Sequence, residues 1–277
     1  MALNINPVEY HREREKGVLV YPVYSRRSAG LSIGINLYPD KKNCQFNCPY
    51  CEVFPFSSNA VFSLEQMEAD LRETIAAAHK QNIPIKDICF SGNGEPTLSH
   101  DFADALKSAE NIRAETAASA ELVIITNGTG LLQPEVFSFL ANAAKNPSLN
   151  IWLKVDAGTQ EWYQKMNRCT LSFEELTQKK KEFVSCAKVT IQTMFCLIND
   201  EQPSNAEALA WESLVTTLAA NKKDGGVRKV QLYGKARSAP EDPLACELPA
   251  DYLEKRAASL RRLFAEKDIT TPVEIYI

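Results

Sequence analysis

A chain of 277 residues with 45% apolar side chains is long enough for one large domain with a sizeable core. Its 31 Lys and Arg against 35 Asp and Glu give a formal net charge of −4, and Lys41-Lys42, Lys179–Lys181 and Lys222-Lys223 are only short basic clusters. That balance does not support a nucleic-acid partner gripped through its phosphates. No stretch approaches the roughly 18 apolar residues of a membrane span, and Met1–Pro7 lacks a charged-then-apolar leader. A cytoplasmic protein without a membrane partner is expected. In that compartment eight cysteines point to metal binding or reactivity before a disulfide framework.

In chain order, a charged approach at Arg12–Lys16 leads to a strand at Val18–Val23, and a second strand follows at Leu31–Leu37. Residues 44–60 read as a loop. Ser63 and Gln66 resemble a capping box that opens a helix over about 64–80. Ile85–Phe90 is the short apolar run of a buried parallel strand and ends in Ser91-Gly92-Asn93-Gly94. Helix is then expected at about 101–111, strand at Leu122–Thr126, helix at 133–144 and strand at 150–155. Helices at 173–184, 205–221 and 250–266 alternate with strands at 188–195 and 228–233, before a last short strand at Val273–Ile277.

Strands alternating with helices mean parallel βαβ units. Six strand-then-helix repeats fall short of the eight that close a full barrel. The expected class is therefore α/β, a partial (β/α)6 barrel of parallel strands with short N- and C-terminal additions. With no linker-like tract, residues 1–277 are expected to form a single domain: an N-terminal extension over 1–30, the barrel over about 31–267, and a terminal strand in 268–277. In such sheets chemistry gathers just after the carboxyl ends of the strands.

The strongest motif obeys that rule. Cys44, Cys48 and Cys51 lie in the loop directly after the first barrel strand. Soft thiolates select zinc or iron–sulfur centres. A structural zinc site wants four protein ligands, and neither a second Cys-x-x-Cys nor a paired histidine motif accompanies these three among His11, His79 and His100. Three cysteines on a four-iron cluster would leave one iron open to a substrate or cofactor. The second motif, Gly92-Asn93-Gly94-Glu95, follows the second barrel strand; glycines there also simply permit positive φ. Thr126-Asn127-Gly128 follows the third. Lys154 and Asp156 end the fourth and point to one face, where a self-satisfied ion pair is the plain alternative. Gln192 on the fifth strand, and Gln231 with Tyr233 on the sixth, are further inward-facing polar residues.

Cys-x3-Cys-x2-Cys after the first strand of a partial barrel resembles the radical S-adenosylmethionine (SAM) superfamily. The resemblance implies a [4Fe–4S] cluster on Cys44, Cys48 and Cys51, with SAM chelating the fourth iron. It further implies an external one-electron donor such as flavodoxin or ferredoxin, reductive cleavage of SAM to a 5′-deoxyadenosyl radical, and hydrogen abstraction from a substrate. By the same resemblance Tyr50 lies near the adenine, Gly92, Asn93, Gly94 and Glu95 bind the methionine amine, and Thr126 and Asn127 approach the ribose or the methionine carboxylate. Lys154 and Gln192 are cofactor-binding candidates; Lys154, Asp156 and Cys196 are weaker catalytic ones. Longer stretches, Tyr21–Ser28, Leu31–Asn36, Phe90–Leu98, Ile125–Gly128 and Lys154–Asp156, resemble the branch of wyosine-forming tRNA enzymes. Those enzymes carry a second cluster on upstream cysteines, and this chain has no cysteine before Cys44. The substrate stays open among a small metabolite, a peptide and a nucleoside or RNA. The alternative class is a non-catalytic iron–sulfur electron carrier or redox sensor, disfavoured because a carrier normally supplies a fourth ligand. Cys89 reads as a small hydrophobe inside a strand, and Cys169, Cys186 and Cys246 are scattered without paired spacing.

Overall fold

Runs of β-branched and aromatic residues too short for helices form the strands here, and their register decides which polar side chains share a face. The computed structural model describes residue 5, residues 17–221, 225–235, 239 and 244–276. The expectations placed on His11, Arg12–Lys16, Lys222-Lys223 and Ile277 lie outside the described residues. The chain folds as two compact units. The first takes the chain up to Cys44, then Val53–Ile125 and Asn146–Asn150; the second takes Gln45–Glu52, Thr126–Lys145 and the chain from Ile151 onward.

In the first unit, β1 (Val20–Ser25) pairs antiparallel with β2 (Gly30–Ile35). The residues expected as an extension thus supply an edge strand, two residues later than read from the sequence. Tyr21 lies across Gly34, where an added Cβ would meet its ring at 2.2 Å. After helix α1 (Leu64–Lys80) comes β3 (Ile85–Phe90), parallel to β2. Helix α2 (Phe102–Thr116) leads to β4 (Glu121–Thr126), which runs parallel to β3 and whose last residue belongs to the second unit. Leu31, Ile33, Ile35, Ile88, Phe90, Val123 and Ile124 are wholly buried, as strands covered on both faces require. Ser63 caps α1 by accepting from Gln66 N–H, but the Gln66 side chain donates to Asp70 instead of reaching back, so the expected capping box is half formed. Helix α2 runs five residues past its expected end. The buried Arg113 donates to the carbonyls of Ala118 and Ala120 and ties off that last turn.

In the second unit, α3 (Pro134–Ala143) precedes β5 (Leu149–Lys154), whose first two residues belong to the first unit. Helices α4 (Gln160–Asn167) and α5 (Phe173–Cys186) follow, then β6 (Lys188–Phe195), parallel to β5. The two-residue β7 (Leu197–Ile198) and helix α6 (Asn205–Ala219) come before β8 (Gly226–Gly234), parallel to β6. The short β9 (Ala245–Cys246) pairs with β7, α7 (Ala250–Glu266) follows, and β10 (Val273–Tyr276) adds parallel to β8. All six expected strand-then-helix repeats are present. Helix α4 was not expected: eight residues are too few to show an apolar period. It is set by the Thr159 side chain accepting from Trp162 N–H, and stopped by Arg168 in the left-handed region at φ +46°.

Candidate functional site

The cysteine loop is closed at its base within the first unit. Lys41 and Ser57 form an antiparallel bridge, and Ser58 N–H donates to Asp40 O at 2.7 Å. Asn43, just before Cys44, is knitted to the glycine-rich turn. Its N–H donates to Asn93 O and its carbonyl accepts from Glu95 N–H, both at 2.9 Å. Gly94 is required there, since a Cβ would stand 2.0 Å from Asn43 O and 2.7 Å from its carbonyl carbon. Those are backbone atoms with no rotamer to move. Gly94→Ala is expected to cost about 1–3 kcal/mol, read as a lower urea midpoint. Gly92, at φ +144°, would likewise meet Asn36 Oδ1 at 2.7 Å. The buried Glu95 carboxylate accepts from Thr97 Oγ1 at 2.6 Å and Thr97 N–H at 3.3 Å, and its carbonyl accepts from Tyr38 OH at 3.1 Å. Burial first, then the charges of Glu95 and Cys44, raise the Tyr38 phenol well above its ordinary value.

In the second unit α4 carries the loop residues 45–52. Phe46 meets the Tyr163 ring edge-on at 5.7 Å, and Asn47 N–H donates to Asn167 O at 2.9 Å. Cys51 N–H turns back on Cys48 O at 3.1 Å, and the Asn167 side-chain amide donates to Cys48 Sγ at 3.5 Å. Burial, with Cys51 next, pushes the Cys48 thiol up to about 12. A soft cation bound there reverses that balance and holds the thiolate. Neither Tyr163 nor Asn167 was singled out from the sequence; the only local signal was the Thr159 cap. The far end of α4 is held by Glu207 of α6, whose carboxylate accepts from Gly158 N–H and Thr159 Oγ1, each at 2.6 Å.

At the end of β5, Lys154 and Asp156 form a buried ion pair at 2.9 Å, and the pair does not stand alone. Tyr50 OH donates to Asp156 Oδ2 at 2.6 Å, Met194 N–H donates to Oδ1 at 2.9 Å, and Lys154 Nζ also donates to Tyr233 OH. Burial pulls the Lys154 pKa down, but Asp156 and Tyr233 outweigh it and the net direction is up. Burial and then Asp156 raise Tyr50 strongly. The structure thus brings four expected residues together: Tyr50, Lys154, Asp156 and Tyr233. Thr126 and Asn127 shape the next turn, accepting from Gly128 N–H at 3.0 Å and Thr129 N–H at 2.8 Å. Gln192 lies opposite Gln231 in register and donates to it at 2.6 Å. Cys196 is wholly buried with its sulfur 3.7 Å from Met166 Sδ, and burial, then Asp156, pushes its thiol up to about 12. Of the other cysteines, Cys89 and Cys169 are buried and Cys186 and Cys246 exposed.

All eight cysteines are free thiols. Among the described residues no three Cys, His, Asp or Glu side chains stand ready-made around a metal position. The fit to an iron–sulfur centre rests on the donor set: three half-buried thiols in a loop outside helix and strand, with an amide donor on one sulfur. Among the described residues no helix is long and apolar enough to cross a membrane.

A "UPF0026 protein" of Helicobacter pylori strain J99 is 28% identical over 169 residues, covering 57% of this chain and 52% of the relative. A "UPF0026 protein" of Synechocystis is 26% identical over 191 residues, 66% of each chain. The match to the first thus spans about half of that relative's length. Among solved structures, Streptococcus suis SuiB bound to precursor peptide SuiA superposes with a TM-score of 0.63 at 15% identity, covering 85% of this chain and 47% of SuiB. SuiB has also been solved with SAM bound. A radical SAM methyltransferase from Sphaerobacter thermophilus gives 0.58 at 14% identity, over 92% of this chain and 67% of the other. These likenesses show the fold, the expected α/β partial barrel. The radical SAM family model matches residues 39–180, more than half of the chain and the whole stretch from the cysteine loop to α5. Such proteins work with a [4Fe–4S] cluster and SAM. On that match, the chain belongs to the radical SAM superfamily.

Proposed function

We propose that this protein is an enzyme that holds its cluster through Cys44, Cys48 and Cys51 and uses SAM to abstract hydrogen from a substrate. The observation that carries the reading is the set of three thiols at Cys-x3-Cys-x2-Cys spacing, inside the family-matched region and without a fourth cysteine nearby. When bound and reduced by an external donor, the cluster supplies the electron that cleaves the SAM sulfonium to a 5′-deoxyadenosyl radical. The protein's own part is to place and shield the reactants. Tyr50, fixed by Asp156, offers an aromatic face for the adenine. The Gly92–Glu95 turn offers carbonyls and a carboxylate to the methionine ammonium. Lys154 offers a cation for the methionine carboxylate, with Thr126, Asn127 and Gln192 as further polar contacts. A small metabolite, a peptide and a nucleoside are the substrate classes to screen.

The test is anaerobic reconstitution with iron and sulfide, followed by dithionite, SAM and mass spectrometry of 5′-deoxyadenosine. Product in stoichiometric or greater yield supports the reading. A cluster that forms without cleaving SAM points to an electron carrier instead, and zinc in place of iron and sulfide overturns the assignment.

A further inference from the structure

We propose that Asn167 sets the reduction potential of the cluster through Cys48, an inference that rests on the cluster reading above. The residue is 2% exposed and closes α4. Its backbone carbonyl holds Asn47 N–H at 2.9 Å and its side-chain amide reaches Cys48 Sγ at 3.5 Å, so one residue grips two successive loop positions. A cysteine sulfur bound to a metal can only accept, which fixes the NH2 end of the amide toward it. The contact bridges 119 positions of sequence, and both ends of the helix that carries Asn167 are fixed. At one end Glu207 clamps Gly158 and Thr159, and Trp211 N packs where a Gly158 Cβ would fall, at 2.1 Å. At the other, Arg168 turns the chain away at φ +46°.

Reduction adds one negative charge to a centre that already carries three thiolates. A donor dipole aimed at a ligand sulfur favours the more negative state, and so raises the potential. Asn167 itself is buried, which strengthens its dipole at the sulfur. The carbonyl end of α4 lies close by and acts in the opposite sense; the side-chain amide offsets it. Asn167 is therefore a positioning residue for the sulfur and makes the cluster easier to reduce.

The test compares wild type with Asn167→Leu and Asn167→Asp, each reconstituted anaerobically and titrated without SAM by electron paramagnetic resonance under controlled potential. Iron and sulfide content and the circular dichroism melt are measured on the same samples. The midpoint is expected to move to a more negative value in the Leu variant and further in the Asp variant, which loses the donor and adds a negative charge. An unchanged or more positive midpoint in the folded variants overturns the inference while the cluster reading stands. Variants that fold but bind no cluster at all also count against it, because Asn167 would then be needed to hold the iron and not to tune the sulfur. If the Leu variant fails to fold, the isosteric Asp variant decides alone. A wild type without a cluster defeats the parent reading, and this inference with it.

Discussion

Cys48→Ala is expected to abolish 5′-deoxyadenosine formation after anaerobic reconstitution, and Cys44→Ala and Cys51→Ala to do the same. Each would remove one of the three ligands proposed for the cluster, and the remaining two would leave a second iron open and labile. Loss of a group that merely hydrogen-bonds a ligand typically costs about 10–100-fold in metal affinity or activity; removal of the ligand itself should exceed that and bring product below detection. Two controls separate ligation from folding. Cys89 is buried inside β3 and Cys186 is exposed at the end of α5, so Cys186→Ala should keep full product while Cys89→Ala costs only packing. Cys48 lies in a loop, half-buried, so its alanine variant should melt within about 1 kcal/mol of wild type before reconstitution. Iron and sulfide assays then show whether product was lost with the cluster or in spite of it.

The cysteine loop was legible in the sequence because its information is local: three thiols within eight residues, placed just after an apolar run. The βαβ alternation was legible for a related reason, since strands buried on both faces show as short continuous apolar runs. What stayed hidden is long-range. Tyr50 finds Asp156 across 106 positions, and Asn167 finds Cys48 across 119. Nothing in the composition of Gln160–Asn167 marks a helix, because its two-turn face is made by Trp162, Tyr163 and Met166 packing inward among polar neighbours. Lys154 and Asp156 could be placed on one face from their spacing alone. Spacing could not show that Tyr233 on β8 would close on the same lysine, since that depends on which strand lies two places along the sheet, β5 to β6 to β8.

Lys154→Met should destabilise the protein by about 3–5 kcal/mol, the range for removing one partner of a buried pair. Asp156 is 5% exposed and its carboxylate would be left with only Tyr50 OH and Met194 N–H as partners. Asp156→Asn should be nearly as costly. Its single acceptor oxygen can serve Met194 N–H, leaving an NH2 against the Tyr50 hydroxyl and forcing that bond to reverse. Removing both charges at once should cost less than the sum, and urea unfolding of the four proteins gives the coupling directly. The pH dependence carries its own sign. The Lys154 pKa is raised on folding, so its contribution is fully present below the unfolded value of about 10.4 and is lost as pH rises through the higher folded one. Wild-type stability should therefore fall on the alkaline side by more than that of Lys154→Met. The functional meaning lies in Tyr50, which stands next to Cys51 and is held by Asp156. If Asp156→Asn lowers iron loading as well as the melting temperature, the network positions the cysteine loop. Loading that stays whole while stability drops would make the ion pair a strut of the sheet, with Tyr50 free to serve the cofactor.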